Sequence, residues 1–401
     1  MKKKVDERGV RVPGFRFGAA SCGIKKSGLA DLALAMADRP ATVGAAFTRN
    51  SFRAAPVDVA SERVRRGRLQ AIVVNSGNAN ACTGRRGLAD ARRSCAIAAR
   101  SLGIDEKLVA PASTGIIGVP LPMGAVSAGV DVAATSLDAD GLGRFARAIM
   151  TSDAYPKIAH TKLSLGRRRV TVAAVAKGAG MICPDMATLL VFFFTDAVLG
   201  VREARSLARR ICDRSLNALS VDGDTSTNDS LFLLASGDAG NSAPAPASSA
   251  LRSLEKAVDD LGWQIARLVA ADGEGSTKLV TIEVSGAPSV EAARRVARTV
   301  GNSSLVKTAF FGSDPNWGRI ACAVGYSGVP VEPERVSIRI GDTFVFRSGE
   351  GVGAGREKAR IAMKRPEFAV RIDLGRGAAQ ARYVTGDLST DYVRFNSAYS
   401  T

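Results

Sequence analysis

The sequence predicts an α+β fold whose sheets are covered by helices. Three observations predict it. β-rich runs alternate with long amphipathic segments, without a simple repeat. One run, Leu189 to Phe194, is apolar throughout, as a strand buried on both faces would be. Later runs alternate, so that Val280, Ile282 and Val284 share one face.

The elements follow in chain order. Ala71 to Val74 reads as a buried strand running into Asn75-Ser76-Gly77-Asn78-Ala79-Asn80, a polar, Gly-containing loop. Leu88 to Leu102 carries apolar residues at helical spacing with arginines opposite. Val170 to Ala176 is a strand, turned by Lys177-Gly178-Ala179-Gly180, and Thr188 to Thr195 is the next. Val201 to Leu219 and Leu251 to Ala271 are the clearest amphipathic helices. Between them, Ser236 to Ser253 is low in complexity and reads as a surface loop. Ser289 is suited to cap a helix from Val290 to Val300. Val336 to Ile340 and Thr343 to Arg347 flank Gly341-Asp342, a hairpin turn, and Phe368 to Leu374 is a further strand.

Composition narrows the function classes. The chain has 401 residues, enough for two ordinary domains or one large layered one. No apolar run approaches the roughly 20 residues needed to span a bilayer. The basic start, MKKKVDERGV, lacks an apolar stretch behind it and does not read as a signal peptide. The six cysteines form no Cys-x-x-Cys pair and are expected as reduced, mostly buried thiols of a cytoplasmic protein. A formal charge of +17 invites a nucleic-acid reading. Its basic residues are spread among helices in short clusters without interleaved aromatics, so nucleic acid is not the expected partner. A basic surface still attracts small carboxylates.

Several chemical candidates fall away. The one histidine, His160, has no recognisable nucleophile motif near it and reads as structural or surface. Neither it nor the cysteine spacing builds a zinc site, and no metal is expected. Asp222 opens a calcium-loop-like stretch, but its sixth position is Thr227 rather than Gly and its twelfth is Leu233 rather than Glu. Gly351 to Arg356 resembles a phosphate loop only loosely.

An enzyme needing neither histidine nor metal can use a threonine whose own α-amine is the base. An internal threonine must first be freed by a chain break. Thr188 is placed for this: the Gly178–Ala187 loop gives the backbone freedom to strain the Ala187–Thr188 bond, and Oγ1 could attack the Ala187 carbonyl. An α-amine titrates at about 7.7–8.0, and Lys177 nearby could lower that value by like-charge repulsion. On pattern alone the competing reading, a threonine that simply opens a strand, stays open and is the commoner case.

Nine long motifs occur in order along the chain. They are GIKKSGLADLAL from Gly23, NSGNANACTG from Asn75, PASTGIIGVPLPM from Pro111, MTSDAYPK from Met150 and KGAGMICPDMATLL from Lys177. SVDGDTSTNDS from Ser220, DGEGSTK from Asp272, VKTAFFGSDPNWGRIACAVGYSG from Val306 and DYVRFNSAYST from Asp391 complete them. Together they resemble the ornithine acetyltransferase / N-acetylglutamate synthase family of arginine biosynthesis, end to end.

That resemblance implies a four-layer α/β/β/α sandwich with two lobes, the second from roughly residue 280 to 401. It implies self-cleavage between Ala187 and Thr188 into chains 1–187 and 188–401, and pairing of two cleaved protomers. It implies ping-pong acetyl transfer from N2-acetylornithine to glutamate through acetyl-Thr188, with no cofactor and with acetyl-CoA as a conceivable second donor. Thr114 and Gly115 would form the oxyanion hole. Thr151, Lys177, Thr188, Glu274, Asn396 and Thr401 would bind substrate, with Glu274 toward the ammonium and Lys177 toward the carboxylate or the Thr188 amine. The alternative is a self-processing amidohydrolase or aminopeptidase with water as acceptor. The chain departs from the family at Cys183, usually His, and Asp185, usually Asn.

Overall fold

The structure is a computed structural model that describes residues 10–183 and 189–398. Ala187, Thr188, Asp185 and Thr401 lie outside the described residues.

The first sheet contains β1 (Phe15–Ala20), β2 (Leu32–Phe47), β3 (Arg68–Asn78), β4 (Val109–Ile116), β5 (Lys157–Leu165), β6 (Arg168–Lys177) and β7 (Leu190–Thr195). The short β8 (Leu219–Ser220) belongs to the other sheet, and β9 (Ser230–Ala235) completes this one. The order is β4-β3-β2-β9-β7-β6-β5, with β1 also on β2. The 16-residue β2 joins the two halves. Its first part pairs with β1 and β3, and its last with β9. Between Met36 and Ala41 its register against β3 shifts. Pro40 lies in this bulge, where its missing N–H leaves no ladder bond unmade.

The bend lets the sheet fold over on itself. Alternate residues of β3 supply two cores. Ile72 and Val74 face inward with Phe192, Phe194 and Phe232 from the other half, while Ala71 and Val73 face the helices outside. Phe17 of β1 meets Phe194 of β7 at 4.9 Å between ring centroids, so the halves touch face to face. On one outer face lie α1 (Ala55–Val64), α2 (Gly84–Leu102) and α3 (Met123–Thr135). The small α4 (Leu142–Ala148) places Phe145 in the inner core. On the opposite face lie α5 (Val201–Arg214) and α6 (Ser249–Ala271). These are four layers, α/β/β/α. They also explain the unbroken apolar run: Val191 and Phe193 serve the α5–α6 core while Phe192 and Phe194 serve the inner one.

The second lobe is a sheet ordered β13-β12-β11-β14-β10-β15-β8. Its strands are β10 (Leu279–Ala287), β11 (Ser337–Ile340), β12 (Thr343–Arg347), β13 (Glu350–Gly351), β14 (Glu367–Asp373) and β15 (Ala379–Gly386), with β8 at the end. Val280, Ile282 and Val284 share its core with α7 (Val290–Asn302), α8 (Ser304–Phe311), α9 (Trp317–Gly325) and α10 (Arg356–Met363). The last helix, α11 (Thr390–Ala398), buries none of its residues.

Some boundaries differ from the sequence reading. β3 continues through Asn75 to Asn78, because the polar residues find partners. Asn75 Nδ2 donates to Asn78 O, and Ser113 Oγ donates to Asn75 Oδ1 at 2.6 Å. α5 stops at Arg214, and α6 starts at Ser249, capped by Ser248 Oγ, inside the stretch read as loop. Of the cysteines, Cys95, Cys183 and Cys212 are buried but Cys82 and Cys322 are exposed; all six are free thiols. No described helix is long and apolar enough to cross a membrane.

Candidate active site

A cleft of about 260 Å³ opens where β3, β4 and β6 end and β7 begins. Thr114, Gly115, Thr151, Lys177, Glu274 and Asn396 all line it. They come from five motifs far apart in the chain. Leu189, the residue after Thr188, lines it too. His160 is exposed on β5, away from this lining.

The oxyanion candidates sit near the C-terminal end of β4. Gly115 has φ +133°, and a Cβ there would come within 2.4 Å of Asn78 N and 2.3 Å of Gly77 C. Only glycine lets β4 press this closely on β3. Thr114 is buried, and its Oγ1 accepts a hydrogen bond from Lys177 Nζ at 3.0 Å. A hydroxyl that accepts from an ammonium has its own hydrogen left to give elsewhere. Lys177 is buried at the end of β6. Burial lowers its pKa, against the opposing pull of Asp153.

Below the cleft runs a sealed ion network. Lys157 Nζ bridges Asp153 Oδ1 at 2.6 Å and Asp272 Oδ2 at 2.7 Å, and Lys157 and Asp153 are wholly buried at their side chains. Asp153 also accepts the N–H groups of Gly178 and Thr151. Asp272 accepts the Ala154 N–H. Burial pushes the Asp153 carboxyl up, but Lys157 and Lys177 overcome it and hold the group well below its ordinary value. Three walls of the cleft thus hang from one lysine: the Thr151 loop, the end of β6 and the turn carrying Glu274.

Glu274 is set by small neighbours. Ser152 Oγ donates to its Oε1 at 2.5 Å, and a Cβ on Gly180 would come within 2.3 Å of Oε2. Gly180 is therefore part of the carboxylate's seat. Asn396 and Tyr392 reach the cleft from α11. Burial, with the carboxylates of Asp222, Asp224 and Glu274, raises the Tyr392 phenol to about 12.

The segment from Ser220 to Ser230, dismissed above as a calcium loop, is the largest part of the site that sequence reasoning left without a role. Asp222 accepts the N–H groups of Met181 at 2.6 Å and Ile182 at 2.8 Å. Val221 N and Ser220 Oγ donate to Ile182 O, and Thr225 Oγ1 donates to Cys183 O. Farther on, Ser230 N donates to Leu189 O. One segment thus grips the chain on both sides of residues 184–188. Asp222, Asp224, Ser226, Asn228 and Asp229 line the cleft as well. The density of Asp, Asn, Ser and Thr was the available signal. Cys183 is buried against Asn302 Nδ2 at 3.3 Å and Arg298 at 3.5 Å.

A hydroxyl and a backbone turn of glycine beside a buried lysine, with a carboxylate across the cleft and no histidine, is the equipment of an acyl-transfer enzyme in an α/β/β/α scaffold. Comparison with known proteins gives the family. The ArgJ family model matches residues 16–401. The chain is 44% identical over 393 residues to the arginine biosynthesis bifunctional protein ArgJ of Geobacter sulfurreducens, covering 98% of this chain and 100% of that one. It is 44% identical over 396 residues to the protein of the same name from Symbiobacterium thermophilum, covering 98% of each. A crystal structure of ArgJ from Bacillus halodurans matches with 37% identity and a TM-score of 0.50, over 51% of this chain and 96% of that one. The chain belongs to the ArgJ family.

Proposed function

We propose that the protein moves an acetyl group from N2-acetylornithine to glutamate in two half-reactions, through an acetyl ester on Thr188. Family membership supports a place in arginine biosynthesis. The observation that carries the chemistry is the meeting of Thr114, Gly115, Lys177 and Glu274 around one cleft bordered by Leu189.

In the first half-reaction Thr188 Oγ1 attacks the acetyl carbonyl and ornithine leaves. In the second, glutamate attacks the ester and N-acetylglutamate leaves. Each passes through a tetrahedral oxyanion. The Thr114 hydroxyl, fed by Lys177, and the Gly115 N–H are its donors. One such donor is worth about 2.7–4 kcal/mol. Glu274 faces the side-chain ammonium of ornithine, and Thr151, Asn396 and Thr401 complete the substrate site. Acetyl-CoA is a second donor by the same route, since a thioester also acylates a hydroxyl.

The nucleophile is made by cleavage between Ala187 and Thr188, which yields chains 1–187 and 188–401. The double grip of Ser220–Ser230 supports this reading, because it fixes the chain on either side of the bond. Two cleaved protomers form the working assembly.

Intact mass after denaturing chromatography tests the proposal. Wild-type protein should give two pieces with the junction at Thr188, and Thr188→Ala a single uncut chain without acetyl transfer. With N2-acetylornithine and glutamate supplied, N-acetylglutamate should accumulate rather than free acetate. Thr188→Ala protein that is still cut at this junction, or that still transfers acetyl at the wild-type rate, would refute the reading.

A further inference from the structure

We propose that Asp229 is the proton-holding residue of this site: it gives a proton to the amine that departs in the first half-reaction and takes one from the amine that attacks in the second. This rests on the acetyl-transfer reading above.

Asp229 stands immediately before β9, and the next residue, Ser230, donates its N–H to Leu189 O at 3.1 Å. The position is rigid. Asp229 O accepts from Thr48 N, and its neighbour Asn228 bridges Ala79 O at 2.6 Å and Ser113 O at 2.9 Å. The residue is 2% exposed, yet it lines the cleft with Thr114 and Lys177. Its Oδ2 has no hydrogen-bond partner among the described residues. A buried carboxylate oxygen is normally satisfied, and one left without a partner in a residue beside a cleft calls for an explanation.

Among the described residues, the charged groups lining the cleft around it are Lys177 from β6, Glu274 from the turn after α6, and Asp222 and Asp224 from its own loop. Asp222 is committed to the Met181 and Ile182 N–H groups. Burial drives the Asp229 carboxyl well above its ordinary value, with Ser226, Lys177 and Thr48 opposing. Burial likewise lowers the Lys177 pKa. A carboxyl raised by burial, at a cleft that also holds a buried lysine, can keep a proton at rest and give it up during reaction.

The reaction needs such a group. An amide nitrogen leaves only when protonated. The Thr188 α-amine takes up the proton of its own hydroxyl, so a second donor at the nitrogen divides the task. When the first intermediate collapses, the C–N bond breaks, its electron pair stays on nitrogen, and nitrogen takes the Asp229 proton. Asp229 is left as a carboxylate near Lys177. In the return step the amine of glutamate forms the new C–N bond and passes its surplus proton to Asp229. The threonine oxygen leaves and recovers its proton from the α-ammonium. Both groups end as they began.

The test compares two donors with the matured Asp229→Asn enzyme. N2-acetylornithine has a leaving group that must be protonated; p-nitrophenyl acetate does not. Acetylation of the 188–401 chain, followed by mass, should slow by about 10²–10⁴-fold with the amide and only a few-fold with the ester. Asp229→Glu, which keeps a titrating carboxyl, should recover part of the amide rate. Equal losses with both donors, or no loss with the amide, would overturn the proposal. If Asp229→Asn stays uncut while Asp229→Glu is cut, the proposal stands, because self-cleavage also expels an amine. If neither is cut, Asp229 only shapes the loop and the proposal fails. A failed acetyl-transfer reading looks different: wild-type enzyme then takes up acetyl from neither donor.

Discussion

At the cleft end of the first sheet, Lys157, Asp153 and Asp272 are sealed from solvent. On the open face of the second sheet, Arg371 joins Glu283 at 2.8 Å and Asp342 at 3.1 Å, and all three side chains are in water. The distances are alike and the surroundings opposite. Water around the second group screens its charges and keeps them hydrated. Around the first, each charge depends on its partners, because desolvation alone would cost several kcal/mol per ion. The protein accepts that cost where three loops must be held at fixed spacing, and the loops are those carrying Thr151, Lys177 and Glu274. Energy of folding is stored at the wall of the cleft.

The sharpest way to break the contrast is Lys157→Met. It strands two buried carboxylates and should destabilise the protein by about 3–5 kcal/mol in urea unfolding. A loss below 1 kcal/mol would mean that water reaches the network. Next is the Lys177–Thr114 contact. Thr114→Val should lower kcat by about 10²–10³-fold. If Lys177 acts through Thr114, adding Lys177→Met to Thr114→Val should cost much less than Lys177→Met costs alone. Additive losses would assign Lys177 to the substrate instead.

A third prediction uses pH. Asp153 is depressed, so its contribution is present above the unfolded value of about 3.9 and is lost as pH falls through its folded value. Asp229 is raised, so its contribution is present below about 3.9 and is lost as pH rises through its folded value. Asp229→Asn should therefore gain stability over wild type at pH 8 and gain little at pH 4, measured by urea unfolding. A difference independent of pH would deny the raised carboxyl. The smallest effect belongs to the surface: Glu283→Ala should cost about 0–1 kcal/mol and less in high salt.

The same contrast marks what the sequence could disclose. The run from Leu189 to Phe194 announced a strand buried on both faces, and the Gly341-Asp342 turn between alternating strands announced a hairpin, because each signal is local. Thr114, Lys177 and Glu274 were legible through the motifs around them, not through their own chemistry. Lys157 was not legible. Between Pro156 and Ile158 it looks like any surface lysine, and its burial depends on Asp272, 115 residues away. Asp222 was passed over, because a row of short polar residues that fails as a cation loop gives no local sign that it grips the amides of Met181 and Ile182.

One feature of the first sheet bears on what the proposed cleavage would leave behind. β7 and β9 are its middle strands, flanked by β6 on one side and β2 on the other. They come from the segment after Thr188, and their neighbours from the segment before it. Two pieces severed there would be interleaved like the fingers of clasped hands. Parting them would mean tearing a sandwich through its centre, so the nick should be invisible to gel filtration and should appear only when the fold is dissolved.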